Sequence, residues 1–216
     1  MSDGAGRRAR RSSTRTRILT AALELFAAKG YSGTTLRAIA GRADVDPAMI
    51  RYFFDGKDAL FRDAVSSRID LSTLFDGPTA EEAKAAPMSR GERMARTFLP
   101  VWEDESTRPA LVAVYRTGMS DGPIARTLRD RVQAALASCL GRIAPEETER
   151  SPMFASLVSA QLTGLVMLRY VFPAEPLASL DVEELTKLLA LAVDVPEARQ
   201  HGVSARHERG TSYSCR

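Results

Sequence analysis

Apolar and polar positions alternate with a helical period along most of this 216-residue chain. Ile18, Ala22, Leu25 and Phe26 stand at i, i+4, i+7 and i+8, one apolar face of a helix over 14–29. Thr14 is its N-cap and Gly30 follows its last periodic residue, where a glycine ends a helix. Tyr31 closes over the small core beneath. Leu36, Ile39, Ala40 and Ala43 line the buried side of a second helix, capped by Thr34 or Thr35. Asp46 as N-cap with Pro47 in the first turn starts a third, short helix ending near Phe54, with Ile50 and Phe54 inward. So short a turn between the second and third helices forces a steep crossing, the geometry of a helix-turn-helix, with Val45 plugging the angle.

From Lys57 a long helix carries Ala59, Leu60, Ala64, Val65, Ile69 and Leu74 along one side, until Asp76-Gly77-Pro78 ends it. Residues 76–90 read as a linker. Helical patterns follow over 90–105, 109–119, 124–142, 152–172 and 182–193, the last capped by Asp181. No segment has the period of a strand. The pattern therefore predicts an all-α fold. Its parts are a disordered basic arm (1–13), a three-helix, homeodomain-like helix-turn-helix domain (14–57), a helical domain (58–193) and a disordered tail (194–216).

Charge changes the picture at one end. Net charge is only +3, but residues 1–57 hold eleven Lys/Arg against five acids, +6, and the remainder is −3. A basic end carrying a helix-turn-helix points to a polyanion, double-stranded DNA; a merely solubilising basic tail is the alternative for residues 1–13. On the third helix, Ile50 and Phe54 leave Ala48, Met49, Arg51, Tyr52 and Phe53 with no room to be buried together. Arg51 is placed to read a base edge, and Lys57, beside a helix N-terminus, makes electrostatic sense with a phosphate there.

The remaining chemistry excludes more than it adds. Cys139 and Cys215 form no disulfide framework and fit a reducing cytoplasm. Charges and prolines interrupt the apolar runs, so no membrane span is expected, and no signal peptide is visible. His201 and His207 lie in the aperiodic tail. With no metal-ligand set, phosphate loop or nucleophile elbow, an enzyme, a metal site and a cofactor are all disfavoured. Glu146-Glu147 and Glu183-Glu184 sit at helix starts, where the dipole accounts for them.

The residues Phe26, Gly30, Tyr31, Thr34, Thr35, Ile39, Ala40, Val45, Pro47, Tyr52, Phe54, Lys57 and Ala59-Leu60-Phe61 stand in a register that resembles the DNA-binding domain of the tetracycline-repressor (TetR) family of bacterial transcription regulators. The stretch from Gln161 to Ala190 is similar to the last two helices of one TetR subgroup. The resemblance implies a homodimer on a palindromic operator and a small-molecule effector that releases it. By position, Pro47, Ala48 and Arg51 would meet base edges, and Arg37 a base or phosphate. Thr35, Met49 through its backbone, Tyr52 and Lys57 would hold phosphates. Three positions depart from the family pattern. Phe53 replaces a frequent phosphate-binding histidine and offers only apolar contact. Asp44 stands at a frequent glycine, and Arg51 at a frequent aromatic, where it would bind guanine O6 and N7.

The same resemblance implies an effector pocket, for which Phe98, Trp102, Tyr115, Arg116, Met119, Gln161, Met167 and Arg169 are the candidates; Arg169 pairs with a buried acid or binds an anion. A small-residue stripe, Ser156, Ala160 and Gly164, with Leu185, Leu188 and Leu189, is the candidate dimer interface. A transcriptional activator and a ligand-independent DNA-binding protein fit the same residues.

Overall fold

The computed structural model describes residues 3–77, 88–150 and 152–194. The side chains of residues 3–9 are outside that description, as are most of the expected linker and all of the tail beyond Asp194, with His201, His207 and Cys215. The described residues are helical, without a strand. They comprise α1 (Asp3–Lys29), α2 (Leu36–Ala43), α3 (Pro47–Phe53), α4 (Gly56–Ser66), α5 (Arg90–Glu103), α6 (Arg108–Gly118), α7 (Pro123–Ile143), α8 (Pro145–Arg150), α9 (Pro152–Val166) and α10 (Val182–Val193). A π turn, Met167–Val171, continues α9.

Three boundaries differ from the sequence reading. Helix α1 starts at Asp3, so Thr14 is no cap and residues 3–13 are helix rather than a disordered arm. Arginine and alanine propagate a helix readily once the apolar segment behind them has nucleated it. Helix α4 stops at Ser66 instead of running to residue 75. Beyond it the Ser67 hydroxyl donates to the Ala64 carbonyl at 2.7 Å, a side-chain bond to the backbone that accompanies the helix end. Helix α8, short and with Glu146 in its first turn, is an element that the helical patterns over 124–142 and 152–172 do not include.

One apolar core runs through the described residues. Ile18, Ala22 and Phe26 of α1 meet Ile39, Ile50, Leu60 and Phe61, and the same core continues into Leu111, Trp102 and Leu136. Residues 14–57 are therefore not a separate core. Helix α1 packs on α6 as well as on α2 and α4. Arg116 clasps this junction, donating from Nη1 to the Ala28 carbonyl (2.7 Å) and from Nη2 to that of Val171 (2.8 Å).

At the other end α10 packs on α5 so closely that a Cβ on Gly91 would lie 2.4 Å from the Ala190 carbonyl oxygen. Leu185 and Leu189 are buried, which corrects their assignment to a dimer interface. Ser156, Ala160, Gly164 and Leu188 are exposed. Met153–Val171 is also long and apolar enough, by length and composition alone, to cross a membrane, with a mean hydropathy of 1.3. Its one charge is Arg169. This run escapes the sequence argument that charge and proline interrupt every apolar stretch.

Candidate nucleic-acid interface

Local bonds set the angle of the helix-turn-helix. Thr34 is buried and donates to the Leu25 and Gly30 carbonyls (3.1 and 2.8 Å), anchoring the end of α1. Thr35 is then the cap of α2, its Oγ1 accepting from the Ala38 N–H at 3.1 Å. The Thr35 O–H keeps its capacity to donate. Asp44 ends α2 in the left-handed conformation, φ 51° and ψ 56°, which aspartate tolerates better than most residues. Arg17 of α1 secures the turn by donating to the carbonyls of Ala43 and Asp44. Asp46 caps α3, accepting from the Ala48 N–H at 2.7 Å, with Pro47 in the first turn.

The result is a short helix held from behind. Ile50 and Phe54 are buried, and Val45 and Met49 pack against the core edge. Thr35, Arg37, Pro47, Ala48, Arg51 and Tyr52 are exposed on α2 and α3. Phe53 is half-buried between Tyr52 and Phe54, ring centroids at 5.0 and 6.2 Å, so it supports the helix more than it faces outward.

Most nearby cations are engaged within the protein. Arg15 pairs with Asp63 (2.6 Å), Arg42 with Glu24 (2.7 Å), and Arg17 with the turn. Among the described residues Arg37 and Arg51 meet no acid and no hydrogen-bond acceptor. Lys57 is half-buried, with Nζ 4.2 Å from the centre of the Tyr31 ring. Burial lowers the pKa of its ammonium and the Asp58 charge opposes that shift. The Tyr31 hydroxyl donates to Asp58. Burial and this bond raise its pKa. Sequence reasoning missed Arg11, whose guanidinium lies 5.2 Å from the centre of the Tyr52 ring and brings the extension of α1 alongside α3.

The arrangement sets Arg37, Arg51 and Lys57 on the three consecutive helices α2, α3 and α4, with α3 a short helix anchored by its buried side, the kind of element that enters a DNA major groove. Comparison with known proteins agrees. The family described as "Bacterial regulatory proteins, tetR family" matches residues 18–64, and "Tetracyclin repressor-like, C-terminal domain" matches residues 89–195. The chain is 48% identical over 170 residues to the "Probable HTH-type transcriptional regulator YttP" of Bacillus subtilis, covering 74% of this chain and 79% of that one. The chain belongs to the TetR family. It is a helix-turn-helix, DNA-binding transcriptional regulator. A TetR-family regulator from Streptomyces coelicolor superposes with a TM-score of 0.50 at 36% identity, over 84% of this chain and 93% of its own. The regulator BetI of Burkholderia mallei is 26% identical over 179 residues, covering 76% of this chain and 84% of its own.

In the C-terminal half of this TetR-family chain the eight candidate pocket residues fall in different surroundings. Phe98, Trp102 and Tyr115 are buried against one another and Tyr170, with Trp102 5.1 Å from Tyr115 and 5.0 Å from Tyr170 between ring centroids. Arg116 is the clasp described above, Met119 and Gln161 are exposed, and Met167 opens the π turn. Arg169 meets its acid: it donates to Glu103 (2.8 Å) and to the carbonyls of Leu177 and Leu180 (2.6 and 2.8 Å). Within the aromatic cluster, Trp102 Nε1 and the Tyr115 hydroxyl are buried without a hydrogen-bond partner among the described residues. A cleft of about 880 Å³ opens between α4 and α7, and none of the eight lines it.

Proposed function

We propose that this chain is a repressor that binds a palindromic operator as a homodimer and is released by a small molecule. The observation that carries the reading is the outward face of α3. Its buried side fixes the helix, while Arg51 is exposed beside Ala48 and Tyr52 and, among the described residues, meets no partner. In this reading Arg51 donates to guanine O6 and N7, and Pro47 and Ala48 supply apolar contact to base edges. Arg37, Thr35, Tyr52, Lys57 and the Met49 backbone hold the phosphates and set the register.

The homodimer uses the exposed side of α9. Met153, Leu157, Ala160, Gly164 and Leu168 follow one another at spacings of four, three, four and four, and all are exposed. Phe172, Leu188 and Leu191 are exposed on the following turn and α10. An apolar face of this extent, with small residues that let helices approach, suits a bundle of two helices from each subunit. It also accounts for the low polarity of Met153–Val171 without a membrane.

Selection of bound sequences from a random duplex pool tests the reading. The expected product is an inverted repeat with a guanine in each half-site. Half-sites lacking the inverted symmetry would overturn the dimer, and the absence of any preferred sequence would overturn base reading by α3.

A further inference from the structure

We propose that the cleft between α4 and α7 binds an amphipathic carboxylate, an anionic head on an apolar body, and that its occupancy sets the DNA affinity of the helix-turn-helix. This rests on the reading of the chain as a ligand-controlled regulator and adds the place and the ligand class. The volume, about 880 Å³, is in the range of small-molecule sites. Its apolar wall comes from both helices and the segment after α4: Phe61, Val65, Ile69, Ile124 and Leu128. That wall takes the body of the ligand.

The head follows from hydrogen-bond accounting. Two acids and two arginines line the cleft, so formal charge decides nothing. Both acids are already engaged. Asp58 accepts from the Tyr31 hydroxyl, and Asp70 accepts from the hydroxyl and the N–H of Ser72 (2.6 and 2.9 Å). Arg62 and Arg131 line the cleft from α4 and α7, and among the described residues neither meets an acceptor. Of the charged groups lining the cleft, the two exposed arginines are the ones that meet no partner among the described residues, and a carboxylate suits such planar, charged donors in a bidentate manner.

The coupling is built into α4. Phe61 lines the cleft and also packs edge-on against Phe26 (4.9 Å) and Tyr31 (5.7 Å) of the DNA-binding end. Asp58 likewise lines the cleft and receives the Tyr31 hydroxyl. A ligand drawing Arg62 toward Arg131 acts on the helix against which α1 rests. A difference in ligand affinity between the DNA-competent arrangement and another therefore appears as a difference in operator affinity.

The test uses the full chain and decanoate, with decanol and decylammonium as charge controls, titrated calorimetrically without DNA and then in the presence of the selected duplex. Decanoate is expected to bind, with decanol weaker by about tenfold or more and decylammonium not binding. The double variant Arg62→Ala/Arg131→Ala alters two exposed side chains, so the fold is retained. It is expected to lose about tenfold or more for decanoate and nothing for decanol. Leu128→Trp fills the apolar wall and is expected to weaken both. No decanoate binding, equal binding of decanol by the native chain, or an unchanged double variant overturns the site. Binding that leaves operator affinity unchanged overturns the control. Failure to prefer any duplex would defeat the repressor reading alone, because the DNA-free titration still decides the site.

Discussion

The chain contains two similar tripeptides, Ile50-Arg51-Tyr52 in α3 and Leu168-Arg169-Tyr170 in the π turn after α9. Each sets an arginine between an apolar residue and a tyrosine on a helical segment, and their fates are opposite. Arg51 is exposed and, among the described residues, without a partner, and Tyr52 is 59% exposed. The Arg169 side chain is 7% exposed, and both it and the Tyr170 hydroxyl donate to Glu103 at 2.8 Å. What separates them is what lies across from each. Among the described residues no acceptor meets Arg51 on the outward side of α3, whereas the segment from Phe172 to Asp181 folds back so that Leu177 and Leu180 present carbonyls to Arg169. An arginine facing outward on a rigid helix is available to a partner, and one facing inward is part of the scaffold.

The largest effect that separates the two belongs to the inward one. Glu103→Ala leaves a buried guanidinium without its counter-charge, which costs about 3 kcal/mol of stability. The two carbonyl acceptors that remain hold the loss to the low end of the usual range. Urea unfolding reads it directly. A loss of less than about 1 kcal/mol would mean that Arg169 is as dispensable to the fold as an exposed arginine.

Arg51→Ala should do the reverse. Stability should stay within about 0.5 kcal/mol of the native chain, while operator binding weakens by about 1–3 kcal/mol, with relaxed preference at one base pair in each half-site. Equal weakening on all duplexes would place Arg51 on a phosphate instead of a base.

The same contrast explains what was legible in sequence. The signals at Gly30, Thr35 and Asp46-Pro47 are local. Each concerns a residue and backbone groups a few positions away, so the helix-turn-helix and its outward residues follow from spacing alone. The choice between Thr34 and Thr35 as cap needed the structure, because Thr34 is spent on Leu25 and Gly30. In the C-terminal half the deciding contacts are distant in the chain. Arg116 meets Ala28, and Arg169 meets Glu103. Helix α10 carries leucines on more than one side, so periodicity could not say that Leu185 and Leu189 face α5 while Leu188 and Leu191 face out. The close approach at Gly91 settles it. The cleft between α4 and α7 was invisible for the same reason, its walls lying more than fifty positions apart.

The outward apolar face offers a third comparison, between leucines. Leu157 is 60% exposed and Leu162, five positions on, is fully buried. In the proposed dimer Leu157→Glu puts an unpaired charge into the interface and should raise the dimer dissociation constant by about tenfold or more, about 1.4 kcal/mol. Monomer stability is expected to be unchanged. Sedimentation velocity over a concentration series checks it, and an unaltered dimer would move the interface off α9.

Lys57 lies between the two cases and has the smallest expected effect. Its ammonium sits over the Tyr31 ring, half-buried, and burial makes it easier to deprotonate than an ordinary lysine. It is also in the first turn of α4, where free N–H groups favour an anion. If the phosphate role dominates, Lys57→Ala weakens binding to every duplex alike and reduces the slope of log affinity against log salt by about 1. If the ring contact dominates, the salt slope is unchanged and stability falls by about 0.5–1 kcal/mol, the worth of an exposed cation over an aromatic face. We expect the slope to change. Lys57 remains partly exposed, and among the described residues the exposed Arg37 and Arg51 meet no partner. A flat difference in slope between the native chain and the variant would return Lys57 to the scaffold and leave Thr35, Arg37 and Tyr52 to set the register on DNA.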